Sequence, residues 1–545
     1  MTMRPILDVG RGLGLLESEI ISYGPYKAKI ALGALDRLRD RPDGKLVVVT
    51  AITPTRAGEG KTTSAISLTQ GLGKIGVNVA LCLRQPSTGP LFGIKGGGTG
   101  GGMAQVVPME EINLHFNGDI HAVEAAHNLL AAVIDAAIFH DQLQAGPSFI
   151  TWPRTMDVND RALRHVVTGL GGVEHGVPRE SSFVIAAASE LMAILALARD
   201  LPDLRARIGR IIVTQRKDGS FVTAEDLRVA GAMTVLMKEA LLPNLVQTME
   251  GQPAIIHAGP FGNIAHGNNS LLADQVGLKL ADIVVTEAGF GSDLGLEKFA
   301  HIVARYGELR PSAALVVATV RALKSHGGVP LSRLGTEDLD ALRRGMENLA
   351  AHVEIVRGFG MRCVVGINKF PTDSARELDL VREMSVSFGA DAGVVNDGFT
   401  SGGEGSVEMA EAVQRAVASG SNFAPLSPPG TPIRGQIETI ARRVYGADGV
   451  EFLPDCQKRI DWLTERGMGT LPVCMSKTHL SLSHDPALKG RPRGFTVPIR
   501  NVYPSAGAGF IVALAGDIQL MPGLGKEPAY TRIDIDAAGQ VTGLT

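Results

Sequence analysis

Four cysteines in 545 residues, Cys82, Cys363, Cys456 and Cys474, are scattered with no C-x-x-C pair among them. That excludes a disulfide framework and a zinc knuckle, and it fits a reducing, cytoplasmic setting. Neither sign of charge is in excess: the net charge is −3, which leaves no electrostatic footprint for nucleic acid or an anionic membrane. Long hydrophobic runs are also missing. The longest, residues 183–198, is broken by Ser189 and Glu190, is too short to span a bilayer and reads as a buried helix. The opening residues, MTMRPILDVGRG, lack the apolar core of a signal peptide. No nucleic-acid partner and no membrane are therefore expected. What is present is an ordinary globular composition, 45% hydrophobic and 20% charged, in a chain long enough for two to four domains.

Apolar, β-branched runs recur between helical stretches at 47–52, 79–83, 210–214, 254–257, 282–286, 314–319 and 363–367. Such alternation predicts an α/β fold with a doubly wound, mostly parallel sheet, in which ligands bind beyond the carboxyl ends of the strands. Six of the runs end in TPTRAGEGKT, RQPSTGP, HAGPFGNIAHG, TEAGFGSDLG, VRALKSHGG and NKFPTD. Polar or glycine-rich chemistry at so many strand ends suggests one built cleft. GFTSGGEGS (398–406) and APLSPPGTP (424–432) have linker composition. After Gly446 the runs shorten, as in GFTVPIR and GFIVALAG, which suggests a small β-rich C-terminal domain.

The stretch TPTRAGEGKTT (53–63) carries the second half of the phosphate-loop pattern G-x-x-x-x-G-K-[ST], with Thr55 where the first glycine belongs. A strand-like KLVVVTAI precedes it and a helical SAISLTQGLGKIG follows, the context that the pattern requires. Backbone N–H groups and a helix N-terminus would cradle an anion. Lys61 would reach terminal phosphates and the Thr62 hydroxyl would help hold Mg²⁺. The alternative is an ordinary glycine-rich strand–helix turn.

Other motifs carry two readings each. GIKGGGTGGGM (93–103), with six glycines among residues 96–102, is either a flexible linker or a cover over the phosphate loop. Arg84 is a surface arginine or a cation facing charge that develops in phosphoryl or acyl transfer. Phe290, between two glycines, plugs the core or stacks on a purine, and Glu287 is a candidate carboxylate near Mg²⁺. INKFPTD approaches the guanine motif N-K-x-D, but Pro371 stands at the aspartate position, which argues against a guanine pocket. His257 and His266 lack metal-ligand spacing and read as satisfied core histidines. Residues alone describe an enzyme that uses a nucleoside triphosphate on an unknown acceptor, with a P-loop nucleotide-switch protein as the alternative.

The chain resembles the formate–tetrahydrofolate ligase family. GIKGGGTGGGM and VATVRALKSHGG carry the likeness most closely, and NLHFNGD, WPRTMDVNDRALR, GVPRESSFVIAAASELMAIL, NLVQTMEGQPA, GPFGNIAHG, TEAGFGSDLGLEKF, LPVCMSKTHLSLSHDP, SAGAGF and MPGL add to it. It extends from about Pro5 to Leu544. The resemblance implies a large P-loop-type domain at 1–346, with an excursion near 104–139, a middle domain at 347–445 on the folate side, and a β-rich domain at 446–545. It implies a homotetramer and an ATP-dependent reaction. Formate would be phosphorylated to formyl phosphate, and N10 of tetrahydrofolate would attack the formyl carbon. Thr55, Arg56, Ala57, Gly58, Glu59, Gly60, Lys61 and Thr62 would form the ATP loop, and the family itself has threonine at position 55. Lys61 and Arg84 would hold formyl phosphate and its transition state, and Asp119 would lie near the attacking amine. Phe290 would line the adenine pocket. Phe370 and Phe399 would sandwich the aromatic part of the folate, Phe399 standing where relatives often have tryptophan. Gln85 replaces a glutamate associated with a monovalent-cation site, so potassium or ammonium is expected to bind weakly or not at all. Departures at Asn117, His127, Val184 and Gly262 leave a divergent paralogue, acting on another carboxylate or folate-like acceptor, as the alternative.

Overall fold

The computed structural model describes residues 3–55, 58–93, 97–143, 150–216, 218–516 and 518–544. At its centre lies a 12-stranded sheet. In chain order the strands that place the site are β1 (Ile20–Ser22), β2 (Ala28–Ile30), β3 (Lys45–Ala51), β4 (Val79–Leu83), β5 (Asn244–Thr248), β6 (Pro253–Ile256), β7 (Ile283–Glu287), β8 (Pro311–Ala318), β9 (Arg362–Asn368) and β10 (Ala392–Asn396). They lie in the order β1-β2-β5-β6-β4-β7-β3-β8-β9-β10. From β6 to β10 every pairing is parallel. β1, β2 and β5 finish one edge antiparallel. The chain leaves β3 toward β4 on one side and later adds β8 on the other. The doubly wound α/β fold expected from the sequence is the fold observed, and the space beyond β3 is the point where such sheets bind ligands.

Composition explains the strands. β3 is KLVVVTA, buried from Leu46 to Ala51, and β8 is buried throughout except at Ser312. Unbroken apolar runs suit strands covered on both faces. Val47, Val49 and Ala51 point to one core with Ala65, Ile66 and Leu68 of α1 (Lys61–Lys74). Leu46 and Val48 point to the other, filled from α2 (Asp119–Phe139), α3 (Leu271–Leu280) and α4 (Leu339–Gly358). By length and composition α2 could cross a membrane, the one such helix among the described residues. It starts in a buried ion pair, Asp119 with Lys29, and packs Val123, Ala126, Leu130 and Ile134 into the core.

Several local expectations need correction. The run at 210–214 does form a strand, Ile212–Gln215, but it pairs with Phe221–Thr223 in a separate ribbon. Residues 183–198 are not one helix: strand Phe183–Val184 precedes helix Glu190–Leu197, whose N-cap is Ser189, accepting from the Leu191 N–H at 3.1 Å. GFTSGGEGS is not a linker. Gly398–Ser401 and Glu404–Ser406 are short helical turns against α1, and a Cβ on Gly398 would lie 2.2 Å from that of Ser67. Its glycines serve close approach rather than freedom. The boundary expected at 346 falls inside α4, and β9 and β10 beyond it extend the central sheet. After Gly446 the strands are short: Gly449–Phe452 pairs with Thr496–Ile499, and Val473–Ser476, Phe510–Leu514 and Asn501–Ser505 form a three-stranded sheet.

Candidate active site

Beyond β3 the chain enters the loop that ends at α1. Arg56 and Ala57, both expected in the ATP loop, lie outside the described residues. Gly58 and Gly60 have φ of 74° and 71°, a region that glycine enters without strain. Thr55 is tied down where a first glycine would be free: Glu59 Oε1 accepts from its N–H at 2.6 Å and from its hydroxyl at 3.1 Å. Gly60 caps α1 and has no side chain to occupy the first-turn N–H groups. Those donors and the positive end of the helix are left for an anion. Lys61 and Thr62, in that turn, are half-buried, and their side chains make no hydrogen bond or ion pair among the described residues.

The base of the loop is fastened at Thr53. Its N–H donates to Asn348 Oδ1 at 3.2 Å, and Asn348 Nδ2 donates to Thr53 Oγ1 at 3.0 Å. His352 Nε2 lies 2.9 Å from Thr53 Oγ1, and His326 Nε2 donates to the Thr53 carbonyl at 2.9 Å. Burial lowers both imidazoles to about 4, so they are neutral at physiological pH. On its other side the loop is gripped from the end of β9, where Asn368 Nδ2 donates to the Glu59 carbonyl at 2.7 Å.

Arg84 leaves the end of β4 and lies over Gly289, where a Cβ would come within 2.9 Å of its Nη1. Its Nη2 is 3.8 Å from Glu287 Oε1 at the end of β7, and the side chain is 28% exposed, so donors are left for a ligand. The Gln85 N–H donates to the Ala258 carbonyl at 2.6 Å. Its side chain is buried, and Oε1 has no partner among the described residues. Asp157, from WPRTMDVND, accepts from the Thr88 N–H at 2.8 Å and anchors the segment that follows. In the glycine run, Gly98 N–H donates to Asn113 Oδ1 at 3.0 Å; Asn113 comes from NLHFNGD.

These elements enclose a cleft of about 500 Å³ whose walls include the phosphate loop, Arg84, Gln85, Gly97, Gly98, Glu287, Phe290 and His479. Phe290 has φ 56°. A bulky residue in that region is strained, and such strain collects at ligand sites. Its ring stacks on His479, centroids 4.8 Å apart and planes at 24°. No spacing in the sequence ties His479 to the loop. Another hollow, of about 550 Å³, lies at the opposite ends of the strands around Lys45, Lys279 and Arg310, and it gathers none of the expected residues.

Asp119, Phe370 and Phe399 stand outside the cleft walls. Asp119 is 1% exposed, and its oxygens accept from Lys29 Nζ at 2.7 Å and Asn244 Nδ2 at 2.6 Å. Facing an amine would mean breaking a buried pair, which is costly. Phe370 and Phe399 follow the ends of neighbouring β9 and β10. The Phe370 ring has the Arg321 guanidinium 5.0 Å from its centroid. Phe399 is 59% exposed. His257 is satisfied by Ser270 and the Ala240 carbonyl, both at 2.6 Å. His266, expected to be satisfied, is not: it is buried, neither ring nitrogen has a partner among the described residues, and burial lowers it to about 3.

The site suits a polyanion held by an open helix N-terminus, an ammonium and a guanidinium. Among the described residues no three His, Cys, Asp or Glu side chains gather into a metal cage. Mg²⁺ needs none, since it keeps waters and binds through one or two protein groups and substrate phosphates. The Thr62 hydroxyl fits that mode.

The family profile described as formate–tetrahydrofolate ligase matches residues 1–545. A formate–tetrahydrofolate ligase of Desulforamulus reducens is 54% identical over 551 aligned residues, covering 99% of this chain and 97% of that one. With the match extending over the whole chain, the protein belongs to the formate–tetrahydrofolate ligase family.

Proposed function

We infer that the protein joins formate to tetrahydrofolate in a reaction driven by ATP, giving 10-formyltetrahydrofolate, ADP and phosphate. Formate is an anion and a poor electrophile. One of its oxygens attacks the γ-phosphorus of ATP, and the bond from that phosphorus to ADP breaks. Formyl phosphate has then lost the carboxylate charge and gained a leaving group. N10 of tetrahydrofolate attacks the formyl carbon, phosphate departs, and the proton on nitrogen passes to solvent.

The observation that carries the residue assignment is the shared cleft: the uncapped first turn of α1, with Lys61 and Thr62, faces the same space as Arg84. Lys61 and the first-turn N–H groups hold the transferred phosphoryl group. Arg84 meets the charge on formyl phosphate and its transition state, with Glu287 steadying the guanidinium. The Thr62 hydroxyl would help hold Mg²⁺, which when bound would neutralise phosphate charge. Phe290, backed by His479, packs against adenine. Phe370 and Phe399 form the platform for the folate ring system. Asp119 takes no chemical step in this scheme. On resemblance alone, the proposal extends to a homotetramer in the cytoplasm.

Purified protein given ATP, formate and tetrahydrofolate should form 10-formyltetrahydrofolate only when all three are present. ATP consumption with another carboxylate or acceptor, and none with formate and tetrahydrofolate, would instead support a divergent paralogue.

A further inference from the structure

Asn368 is the last residue of β9 and Asn396 the last of β10, paired in register across the two strands. Their side chains join two loops that are far apart in sequence. Asn368 Nδ2 donates to the carbonyls of Glu59 at 2.7 Å and Gly60 at 3.3 Å, inside the phosphate loop. Its Oδ1 accepts from Ser64 Oγ in α1 at 2.9 Å and from Asn396 Nδ2 at 2.8 Å. Asn396 Oδ1 accepts in turn from Ser406 Oγ at 2.7 Å and from the Gly398 N–H at 3.1 Å. Gly398 opens the turn that carries Phe399, whose carbonyl accepts from the Met103 N–H at 2.8 Å, where the glycine run ends.

The path has little slack. Asn396 is 3% exposed and Ser406 is fully buried, so a lost partner leaves a buried polar group unsatisfied. A Cβ on Gly60 would lie 2.8 Å from Asn368 Nδ2. The phosphate loop and the Phe399 turn therefore cannot shift independently without breaking hydrogen bonds, partly buried from Asn368 to Glu59 and Asn396 and buried from Asn396 to Ser406 and Gly398.

We propose that Asn368 and Asn396 are positioning residues that couple nucleotide binding at the phosphate loop to folate binding at Phe399. A bound triphosphate orders Glu59 and Gly60, which fixes Asn368, then Asn396, and with it the turn that presents Phe399. Each ligand thereby tightens the other. The inference rests on the assignment of Phe399 to the folate.

The test is calorimetric titration of tetrahydrofolate, without formate, in the presence and absence of saturating ATP analogue with a non-hydrolysable β–γ bridge. The wild-type Kd should tighten by about 5-fold or more, the lower end of measured site couplings. Asn396→Ala should bring that factor close to 1. Asn396→Ser is read in the same way should the alanine variant not fold. Thr69→Ala, which removes a buried α1 hydroxyl bonded to the Ala65 carbonyl and leaves every bond of Asn368 and Asn396 in place, should keep the wild-type factor. A wild-type factor of 1, or an undiminished factor in a folded Asn396 variant, overturns the coupling. The folate assignment is read separately: an unchanged tetrahydrofolate Kd for Phe399→Ala, measured without nucleotide, overturns that assignment and the inference with it.

Discussion

The ring of Phe290 lies on the imidazole of His479, with centroids 4.8 Å apart and planes at 24°. Phe290 follows the end of β7, whereas His479 comes from the short-stranded C-terminal part, so the stack closes the cleft from two distant parts of the chain. It also supports the strained φ of 56° at Phe290. His479→Ala should loosen Phe290 and raise the ATP KM by about 2- to 10-fold, matching the roughly 0.5–1.5 kcal/mol an aromatic pair contributes. The tetrahydrofolate KM should hardly move. Steady-state kinetics with each substrate varied in turn decides it; a change confined to tetrahydrofolate would put the stack in the wrong pocket.

Phe370→Ala and Phe399→Ala should act the other way. Each should raise the tetrahydrofolate KM, on the same aromatic scale of about 0.5–1.5 kcal/mol, and leave the ATP KM nearly unchanged. A loss of ATP affinity with unaltered folate affinity would mean that the platform is misplaced. The Phe370 effect should be the more complex of the two, because Arg321 sits 5.0 Å from its ring centroid and loses that contact as well.

The sheet is legible in the sequence because its parallel strands are unbroken apolar runs and the phosphate-loop strand ends in a glycine–lysine–threonine turn. The grip on that loop is not. Asn368 sits in INKFPTD, where likeness to a guanine motif draws the eye to Pro371, yet the asparagine amide is what holds Glu59 and Gly60. That role exists only once β9 is placed near α1, and no local pattern encodes it. Asn348 and His352 carry no sequence signal of their hold on Thr53 for the same reason. GFTSGGEGS has the composition of a linker because close packing against α1 and flexibility call for the same residue. Asp119 is drawn toward the chemistry by its motif, while a buried lysine from the sheet edge, Lys29, takes its charge.

Gln85 offers a prediction about cations. Its Oε1 is buried without a partner among the described residues, and it carries no charge to draw a monovalent ion. A carboxylate there would be a buried, unpaired charge, which is costly unless a cation joins it. The wild-type protein should show little difference in activity among potassium, sodium and tetramethylammonium chloride at equal ionic strength. Gln85→Glu should gain potassium dependence. Strong potassium activation of the wild type would mean that the amide still serves the ion or that another group does.

Five buried imidazoles set the response to acid. Burial lowers His127, His257, His326 and His352 to about 4 and His266 to about 3, from an ordinary 6.5. Between those values the unfolded chain binds protons that the folded one does not, so stability falls as pH drops from 6.5 toward 4. Two buried carboxyls oppose this: Glu190, raised to about 7, and Asp274, raised to about 6, are protonated in the fold and favour it until pH rises through those values. The imidazoles outnumber them. Scanning calorimetry should find the thermal midpoint lower at pH 5 than at pH 6.5; a midpoint that holds or rises would contradict the buried neutral imidazoles.

The central claim is that the Lys61 ammonium acts on the transferred phosphoryl group at the open end of α1. The Lys61 side chain has no hydrogen bond or ion pair among the described residues, so the fold does not rest on its ammonium. The most direct measurement is the kcat of Lys61→Ala in the assay with ATP, formate and tetrahydrofolate, alongside its circular dichroism and thermal midpoint. The account predicts an unaltered fold and a kcat lower by about 10²–10³, the roughly 2.7–4 kcal/mol lost with one transition-state charge contact. Near-normal turnover in a correctly folded variant would contradict it.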